Sequence, residues 1–259
     1  METLKRIGAV SYGMASYLTF FLTFLYLVGF LANVAVGKSI DSGPVEPFLP
    51  SLAVNVFLLV LFGVQHTVMA RPGFKRAIAS LIPHSIERST YVLVSSLLLM
   101  LLFWQWRPMP QQIWAFENTA AFWTMTGLFL AGYALLLYAT FLIDHFDLFG
   151  LRQVVLRATG KGYSEKHFAT PGLYKLIRHP IYVGWMVGFW ATPVMSVGHL
   201  LLASVWTAYM VIAVRYEERD LRAALGEPYE KWRAETGAFV PRIVRSPETR
   251  PASVVREVR

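Results

Sequence analysis

The sequence predicts an all-α polytopic membrane protein with about six transmembrane segments, the last two forming a tight helical hairpin, and a cytoplasmic C-terminal helical segment. Three observations predict this class. Hydrophobic residues make up 55% of the chain and charged residues only 15%, whereas soluble domains contain about 25% charged residues. Several apolar windows reach the roughly 20 residues that a helix needs to cross the hydrocarbon core. The basic residues also cluster in alternate loops.

Six apolar windows are predicted to cross the membrane: residues 12–36, 51–69, 90–106, 120–143, 181–197 and 199–215. The first window is too long for a removable signal peptide and has no small-residue cleavage site, so we expect it in the mature protein. The last two windows are joined by a turn near residues 196–199, and Pro193 and Gly198 are expected to bend or break the path there.

The distribution of Lys and Arg predicts the orientation. Of the 24 basic residues, only Lys38 and Arg107 fall in the predicted outer loops, and the others lie in loops and tails on one side. The positive-inside rule therefore places both termini in the cytoplasm, and we expect a bacterial inner-membrane protein. The net charge of +8 is mainly this topology signal, and no aromatic-basic pattern indicates a nucleic-acid partner.

Three regions are predicted along the chain: a four-helix membrane region over 1–143, a region over 144–242 with a loop, the hairpin and a C-terminal helix, and a disordered tail over 243–259. The tail is rich in proline, serine and charge, a composition that does not support a packed core. Nothing in the sequence predicts the oligomeric state.

The sequence gives little support for a metal site or for a reactive cysteine. The chain has no cysteine, which excludes disulfides, thiolate nucleophiles and thiolate metal ligands. The six histidines include no i, i+4 pair and no HExxH motif, so no metal site is predicted. Convergence of His66 and His145 on a haem or an iron ion stays open as an alternative.

The stretch "PGLYKLIRHPIYVGW", residues 171–185, places ionisable side chains at the start of an apolar helix. Pro180 suits a first helical position, and the free N–H groups of that first turn attract an anion. The Arg178 guanidinium can bind the same anion through two parallel hydrogen bonds. Alternatively, Arg178 and His179 only extend into the lipid headgroups.

A second charged stretch, "RYEERDLRAALGEPYEKW", begins at Arg215, directly after the hairpin. Its alternating charges are also typical of a solvated amphipathic helix. The hairpin, however, returns Glu217 and Glu218 to the membrane face that holds Arg178 and His179. We therefore expect the two charged stretches to form one site.

Residues 167–242 resemble the isoprenylcysteine carboxyl methyltransferase family of integral membrane enzymes. The resemblance lies in the ordered combination of "GLYKLIRHPIYVGW", the hairpin, "EERDLRAALGEPYEKW" and "FVPR". The resemblance implies S-adenosylmethionine as cofactor, with no metal. The cofactor-binding residues that it implies are Gly172, Tyr174, Arg178, His179, Tyr182, Gly184, Glu217 and Glu218. Trp232 departs from the family pattern, since a Tyr often stands there.

The acceptor is expected in the other half of the chain. "TFLIDHFDLFGLRQVV", residues 140–155, places Asp144 and His145 at the end of the fourth span, and "GVQHTVMARP" places His66 in the second span. Ionisable groups at this depth are costly unless they serve a function. The segment "DHFDLFGLRQV" resembles the bacterial methanethiol S-methyltransferases, which implies methylation of a small thiol, methanethiol, to dimethyl sulfide.

Candidate catalytic roles follow from the chemistry of thiols. A thiol must lose its proton before it attacks a methyl group, so a base is expected: either His145 with Asp144, or His66. Arg215 is expected to stabilise the thiolate or to hold a carboxylate. The sequence does not decide between the two histidines, and both can instead make structural hydrogen bonds.

Two other functions stay open. A methyltransferase with the same cofactor site can act on the carboxylate of prenylcysteine or on a lipid. A membrane transporter or assembly factor can also place histidine and aspartate within the membrane.

Overall fold

The computed structural model describes residues 2–164 and 168–242. The chain forms helices α1 (Glu2–Ala32), α2 (Phe48–Ala70), α3 (Pro72–Ile78), α4 (His84–Gln105), α5 (Thr119–Ile143), α6 (His145–Leu148), α7 (Leu151–Ala158), α8 (Pro180–Trp190), α9 (Val197–Leu225) and α10 (Glu227–Glu235), with a 3-10 turn at Gly172–Lys175 and strands β1 (Gln112–Ala115) and β2 (Val194–Ser196). Five of the described helices, α1, α2, α4, α5 and α9, are long and apolar enough to cross a membrane. The predicted all-α membrane class is confirmed. The predicted disordered tail, 243–259, lies outside the described residues, and the two-part division of the rest stays a prediction.

The fifth predicted crossing differs from a full-length helix. Helix α8 has 11 residues, which reach only about 16 Å at 1.5 Å per residue. Beyond Trp190 the chain is extended and forms β2, which pairs antiparallel with β1 of the loop between α4 and α5. Pro193 follows this helix end closely, and proline cannot continue a helix. The hairpin therefore has one long helix, α9, and one short helix with an extended arm.

The extended arm has hydrogen-bond partners from neighbouring elements. The indole N–H of Trp114 donates to the carbonyl of Thr192 at 3.2 Å, and Nε2 of His199 lies 2.9 Å from the carbonyl oxygen of Phe189. The backbone N–H of Val197 donates to the carbonyl of Gln111. Non-helical backbone at membrane depth needs such internal partners because hydrocarbon supplies none.

Helices α5 and α8 touch through their backbones. A Cβ atom on Gly132 would lie 2.6 Å from the Gly188 nitrogen, and one on Gly184 would lie 2.7 Å from the Gly132 carbonyl oxygen. Small residues permit this close approach, which is a common way to pack membrane helices. The contact fixes the position of α8 and of the charged turn that precedes it.

Helix α1 completes the bundle by packing on α4 and α7. The Tyr12 hydroxyl donates to Oγ1 of Thr90 at 3.1 Å. A Cβ on Gly13 would lie 2.7 Å from a Val154 methyl carbon, so α7 also approaches the α1 backbone closely. The core between the long helices is mainly aromatic and aliphatic, with Phe30 and Trp106 fully buried.

We expect Gly132→Ala to destabilise the protein, because the added methyl group must displace the α8 backbone. Overpacking of this kind costs about 1–3 kcal/mol, which corresponds to a fall of several degrees in the thermal midpoint. The matched control is Gly127→Ala on the same helix, where a Cβ would meet nothing within 4 Å. Thermal unfolding of both variants in detergent tests this, and equal midpoints would contradict the close contact.

Candidate active site

One cavity of about 820 Å³ extends from the interior of the helix bundle to the charged turn before α8. We call it the large cavity. We call the part of it lined by His66 and Tyr91 the inner end, and the part lined by Arg178, His179 and Glu217 the outer end. The rest of the lining is mainly apolar and aromatic, and includes Phe24, Leu136 and Trp185. The cavity thus joins two groups of polar side chains within a mainly apolar lining.

The outer end is built by the first turn of α8 and by α9. The Tyr182 hydroxyl donates to Oε2 of Glu217 at 2.9 Å. The Glu217 side chain stays 45% exposed, so its carboxylate can accept further hydrogen bonds from a ligand. His179 is buried at the start of the helix. Pro180 occupies the first helical turn as predicted, and no side chain caps the helix.

Behind this end, Glu218 binds three basic side chains. Its Oε1 accepts from Nε of Arg178 at 2.7 Å and lies 3.1 Å from Nε2 of His179, while Oε2 accepts from Nε of Arg233 at 3.3 Å. Arg178 also donates to the carbonyl oxygen of Thr236. The Arg178 guanidinium therefore already has protein partners, and Glu218, which does not line the large cavity, holds the two basic residues in place.

The segment after α10 packs against the charged turn that precedes α8. The backbone N–H groups of Arg178 and His179 donate to the carbonyls of Gly237 and Ala238, at 2.9 and 3.0 Å. The "FVPR" motif lies next to these residues and was the only sequence signal for them. The segment therefore fixes the backbone of the charged turn.

The 3-10 turn at Gly172–Lys175 packs against the same cluster. Gly172 has a φ of +52°, a conformation that favours glycine. Tyr174 lines the large cavity, and the indole N–H of Trp232 donates to its carbonyl oxygen at 2.7 Å. Burial raises the pKa of the neighbouring Tyr229 to about 12, so that phenol stays neutral. Gly184, by contrast, contacts α5 and does not line the cavity.

The inner end of the large cavity contains a chain of polar side chains. The Tyr91 hydroxyl lies 2.7 Å from Nε2 of His66, and Oγ of Ser95 lies 3.5 Å from Nδ1 of the same ring. Phe62 stacks on the imidazole with ring centroids 5.3 Å apart. His66 is therefore held in a fixed orientation with one edge toward the cavity.

His145 lies elsewhere, in a buried structural position. Its Nε2 lies 2.8 Å from the Tyr17 hydroxyl, its Nδ1 lies 2.8 Å from Oγ1 of Thr140, and the Phe141 ring stacks on it at 4.2 Å. Burial lowers the pKa of its imidazole, an effect that Asp144 partly opposes. His145 does not line the large cavity, so the two predicted polar clusters do not converge there.

Asp144 and Arg215 also lie away from the large cavity. Asp144 caps α6 by accepting from the backbone N–H of Asp147 at 3.1 Å. It lines a second, polar cavity of about 230 Å³, which we call the small cavity. Arg215 is exposed and lines neither cavity. The cation near His66 is Arg88, which sequence reasoning missed because the positive-inside rule already accounted for it.

Among the residues that the structure describes, no three His, Asp or Glu side chains lie close enough together to hold a metal ion. Within residues 2–164 and 168–242, neither His66 nor His145 has a second histidine or a carboxylate among the contacts of its ring nitrogens.

Comparison with known proteins gives the family. A family model described as phospholipid methyltransferase matches residues 127–227. Methanethiol S-methyltransferases from Crocosphaera subtropica and Mycobacterium tuberculosis are each 48% identical to the chain over 92% of its length, and cover 93% and 98% of their own. Methanethiol S-methyltransferase 2 of Bradyrhizobium diazoefficiens is 46% identical over 92% of the chain and 92% of its own length. No solved structure matches the chain.

A match over 92% of the chain spans both the helices that hold His66 and Tyr91 and the charged turn before α8. With nearly half of its residues identical over almost the whole length of these relatives, the chain belongs to the methanethiol S-methyltransferase family of integral membrane methyltransferases.

Proposed function

We propose that this membrane methyltransferase transfers the methyl group of S-adenosylmethionine to methanethiol, giving dimethyl sulfide and S-adenosylhomocysteine. The observation that supports this most directly is the large cavity, which brings the charged outer end, the polar inner end and a mainly apolar lining into one space. The relatives from Crocosphaera subtropica and Mycobacterium tuberculosis are named for methanethiol as acceptor. The protein is embedded in the bilayer, and we place it in the bacterial inner membrane with both termini in the cytoplasm.

The outer end fits the chemical groups of S-adenosylmethionine. Glu217 can accept hydrogen bonds from the ribose hydroxyls or the ammonium group, and the free N–H groups of the first turn of α8 suit the carboxylate. The rings of Tyr182 and Trp185 line the cavity, and aromatic faces attract a sulfonium cation. When bound, the cofactor supplies a methyl group that is activated by a positively charged sulfur.

The roles of Arg178, His179 and Glu218 follow from their contacts. Arg178 and His179 line the cavity wall, and Glu218, which lies outside the lining, binds both of them. We propose that this cluster sets the position of the first turn of α8, and so of the cofactor carboxylate. Gly172 and Tyr174 then shape the turn beside the cofactor, and Gly184 acts by letting α8 approach α5.

The acceptor is expected at the inner end. Phe62, Val92 and Leu99 provide apolar walls there, next to His66 and Tyr91. A small apolar thiol needs no more than such an enclosed pocket, and holding both reactants in line in a water-poor site supplies much of the rate. We propose that His66, rather than His145, lies beside the acceptor sulfur.

Methylation of a phospholipid is the second candidate, because the family model that matches residues 127–227 is named for that activity. Both candidates share the outer end of the large cavity and differ in the acceptor.

The first experiment gives the detergent-purified protein S-adenosylmethionine and methanethiol. We expect dimethyl sulfide in the headspace and S-adenosylhomocysteine in equal amounts. Phosphatidylethanolamine vesicles replace the thiol in a parallel reaction, and S-adenosylhomocysteine formed with the lipid alone would favour the second candidate. Binding of S-adenosylhomocysteine without either product would show that the acceptor is wrong.

We expect Glu218→Gln to weaken S-adenosylhomocysteine binding by at least about tenfold, because Arg178 and His179 lose their shared carboxylate and a charged hydrogen bond contributes about 1.5–3 kcal/mol. Glu227→Gln is the matched control, since Glu227 pairs only with exposed Lys231 among its described contacts. Calorimetric titration of both variants gives the affinities. Equal affinities would show that Glu218 does not position the cofactor end.

His66→Ala and His145→Ala are expected to change different properties of the protein: the first its turnover, the second its stability. His66→Ala should lower turnover at least about tenfold, since a well-placed acid-base or positioning histidine contributes a large rate factor, and should leave S-adenosylhomocysteine affinity unchanged. His145→Ala should instead lower the thermal midpoint, because it removes hydrogen bonds to Tyr17 and Thr140. The reverse pattern would return His145 to the catalytic role.

A further inference from the structure

Arg88 lies in the wall that separates the large cavity from the small cavity, and it lines both. Its Nε donates to the carbonyl oxygen of Leu148 at 2.7 Å, which anchors the side chain. The guanidinium carbon lies 5.1 Å from the centre of the Tyr91 ring. The Tyr91 hydroxyl is the group that binds His66. Arg88, Tyr91 and His66 therefore form one connected set at the inner end.

Among the described residues, the charge of Arg88 is not balanced by a direct ion pair. Within residues 2–164 and 168–242, no carboxylate oxygen lies within 4.0 Å of its guanidinium. Nearby Glu87 pairs with Lys75 at 3.0 Å, and Asp147 pairs with Arg152 at 3.2 Å. Glu87, Asp144 and Asp147 share the polar small cavity with Arg88, so the side on which its charge is costly without an accompanying anion is that of the mainly apolar large cavity. The inner end is thus suited to a small anion.

We propose that Arg88 stabilises the thiolate form of the acceptor at the inner end of the large cavity, with Tyr91 and His66 as positioning residues that hold the guanidinium in place. The proposal rests on the thiol methylation proposed above. The thiol releases its proton to solvent, and the sulfur lone pair forms the new C–S bond. The electron pair of the broken sulfonium C–S bond stays on the donor sulfur.

This role differs from general-base catalysis by His66. An imidazolium at His66 would place a second positive charge close to Arg88, and like charges disfavour each other's ionised forms. A neutral His66 with its ring nitrogen bound to Tyr91 avoids this repulsion. A thiolate beside the guanidinium gains from the opposite sign of charge.

Other ionisable groups face Arg88 and can contribute to the same pH dependence. On the side of the small cavity these are Lys75, His84, Glu87, Asp144, Asp147 and Tyr163, and on the side of the large cavity they are His66, Arg71, Tyr91 and Tyr209. A test must therefore isolate the charge of Arg88.

The test uses the full chain in detergent and compares Arg88→Gln, which removes the charge, with Arg88→Lys, which keeps it. An adjacent cation lowers the pKa of an acid by about one to three units, so Arg88 should increase the fraction of thiolate. Part of this gain is offset, because a less basic thiolate is a weaker nucleophile. We expect Arg88→Gln to lower kcat at pH 7 by about 3- to 10-fold and to move the midpoint of the kcat–pH profile at least about one unit toward higher pH, with the plateau at high pH retained. Arg88→Lys should recover most of the shift.

Two further measurements separate the alternatives. The more acidic 2,2,2-trifluoroethanethiol should lose less activity than methanethiol with Arg88→Gln, and S-adenosylhomocysteine affinity should not change. Exposed Arg76→Gln is the matched control. An unshifted pH profile, or equal losses with both thiols, would overturn the proposal. Loss of S-adenosylhomocysteine affinity would also overturn it, by assigning Arg88 to the cofactor carboxylate.

If the protein does not methylate methanethiol at all, the result differs from those that would overturn the role of Arg88. In that case the wild-type protein forms no dimethyl sulfide at any pH.

Discussion

The contact on which the site depends is the set of hydrogen bonds that Glu218 makes with Arg178 and His179. Glu218 lies on α9, and its two partners lie at the start of α8, so one carboxylate fixes the two arms of the hairpin at the edge of the membrane. Unpaired charges at that depth are costly. The geometry of the outer end of the large cavity therefore follows from charge neutralisation within the protein, before any ligand binds.

The same requirement for internal partners explains the unusual shape of the hairpin. Helix α8 can end at Trp190 because side chains from other elements bond the backbone carbonyls around that end. Trp114 of the loop between α4 and α5 and His199 of α9 provide these hydrogen bonds. Its short length is accompanied by a very close contact with α5 at Gly132. Together these features hold α8 firmly at both ends and leave its first turn facing the cavity.

The sequence predicted the membrane class and the closeness of the two charged stretches because both depend on one-dimensional properties. Apolar length indicates a span, and a short hairpin must return Glu218 to the level of Arg178. The choice between His66 and His145 depends instead on how each helix is rotated and on where α5 ends, which apolar length does not specify. Arg88 was missed for another reason: its charge fits the positive-inside rule, and its place in a cavity wall appears only after α4 and α6 are packed. Gly184 was assigned to the cofactor, although its lack of a side chain is explained by contact with α5.

The large cavity combines a charged outer end, a mainly apolar lining and an inner end with a cation, and this combination suits the proposed chemistry. A thiolate and a sulfonium carry opposite charges that disappear as the methyl group moves, so water, which stabilises separated charges, would favour the reactants over the transition state. Apolar walls such as Phe24 and Trp185 reduce that solvation. The remaining difficulty is to form the thiolate in such surroundings, since burial raises the pKa of a thiol. A fixed cation at the inner end opposes that increase, and it does so without a base that must itself become charged.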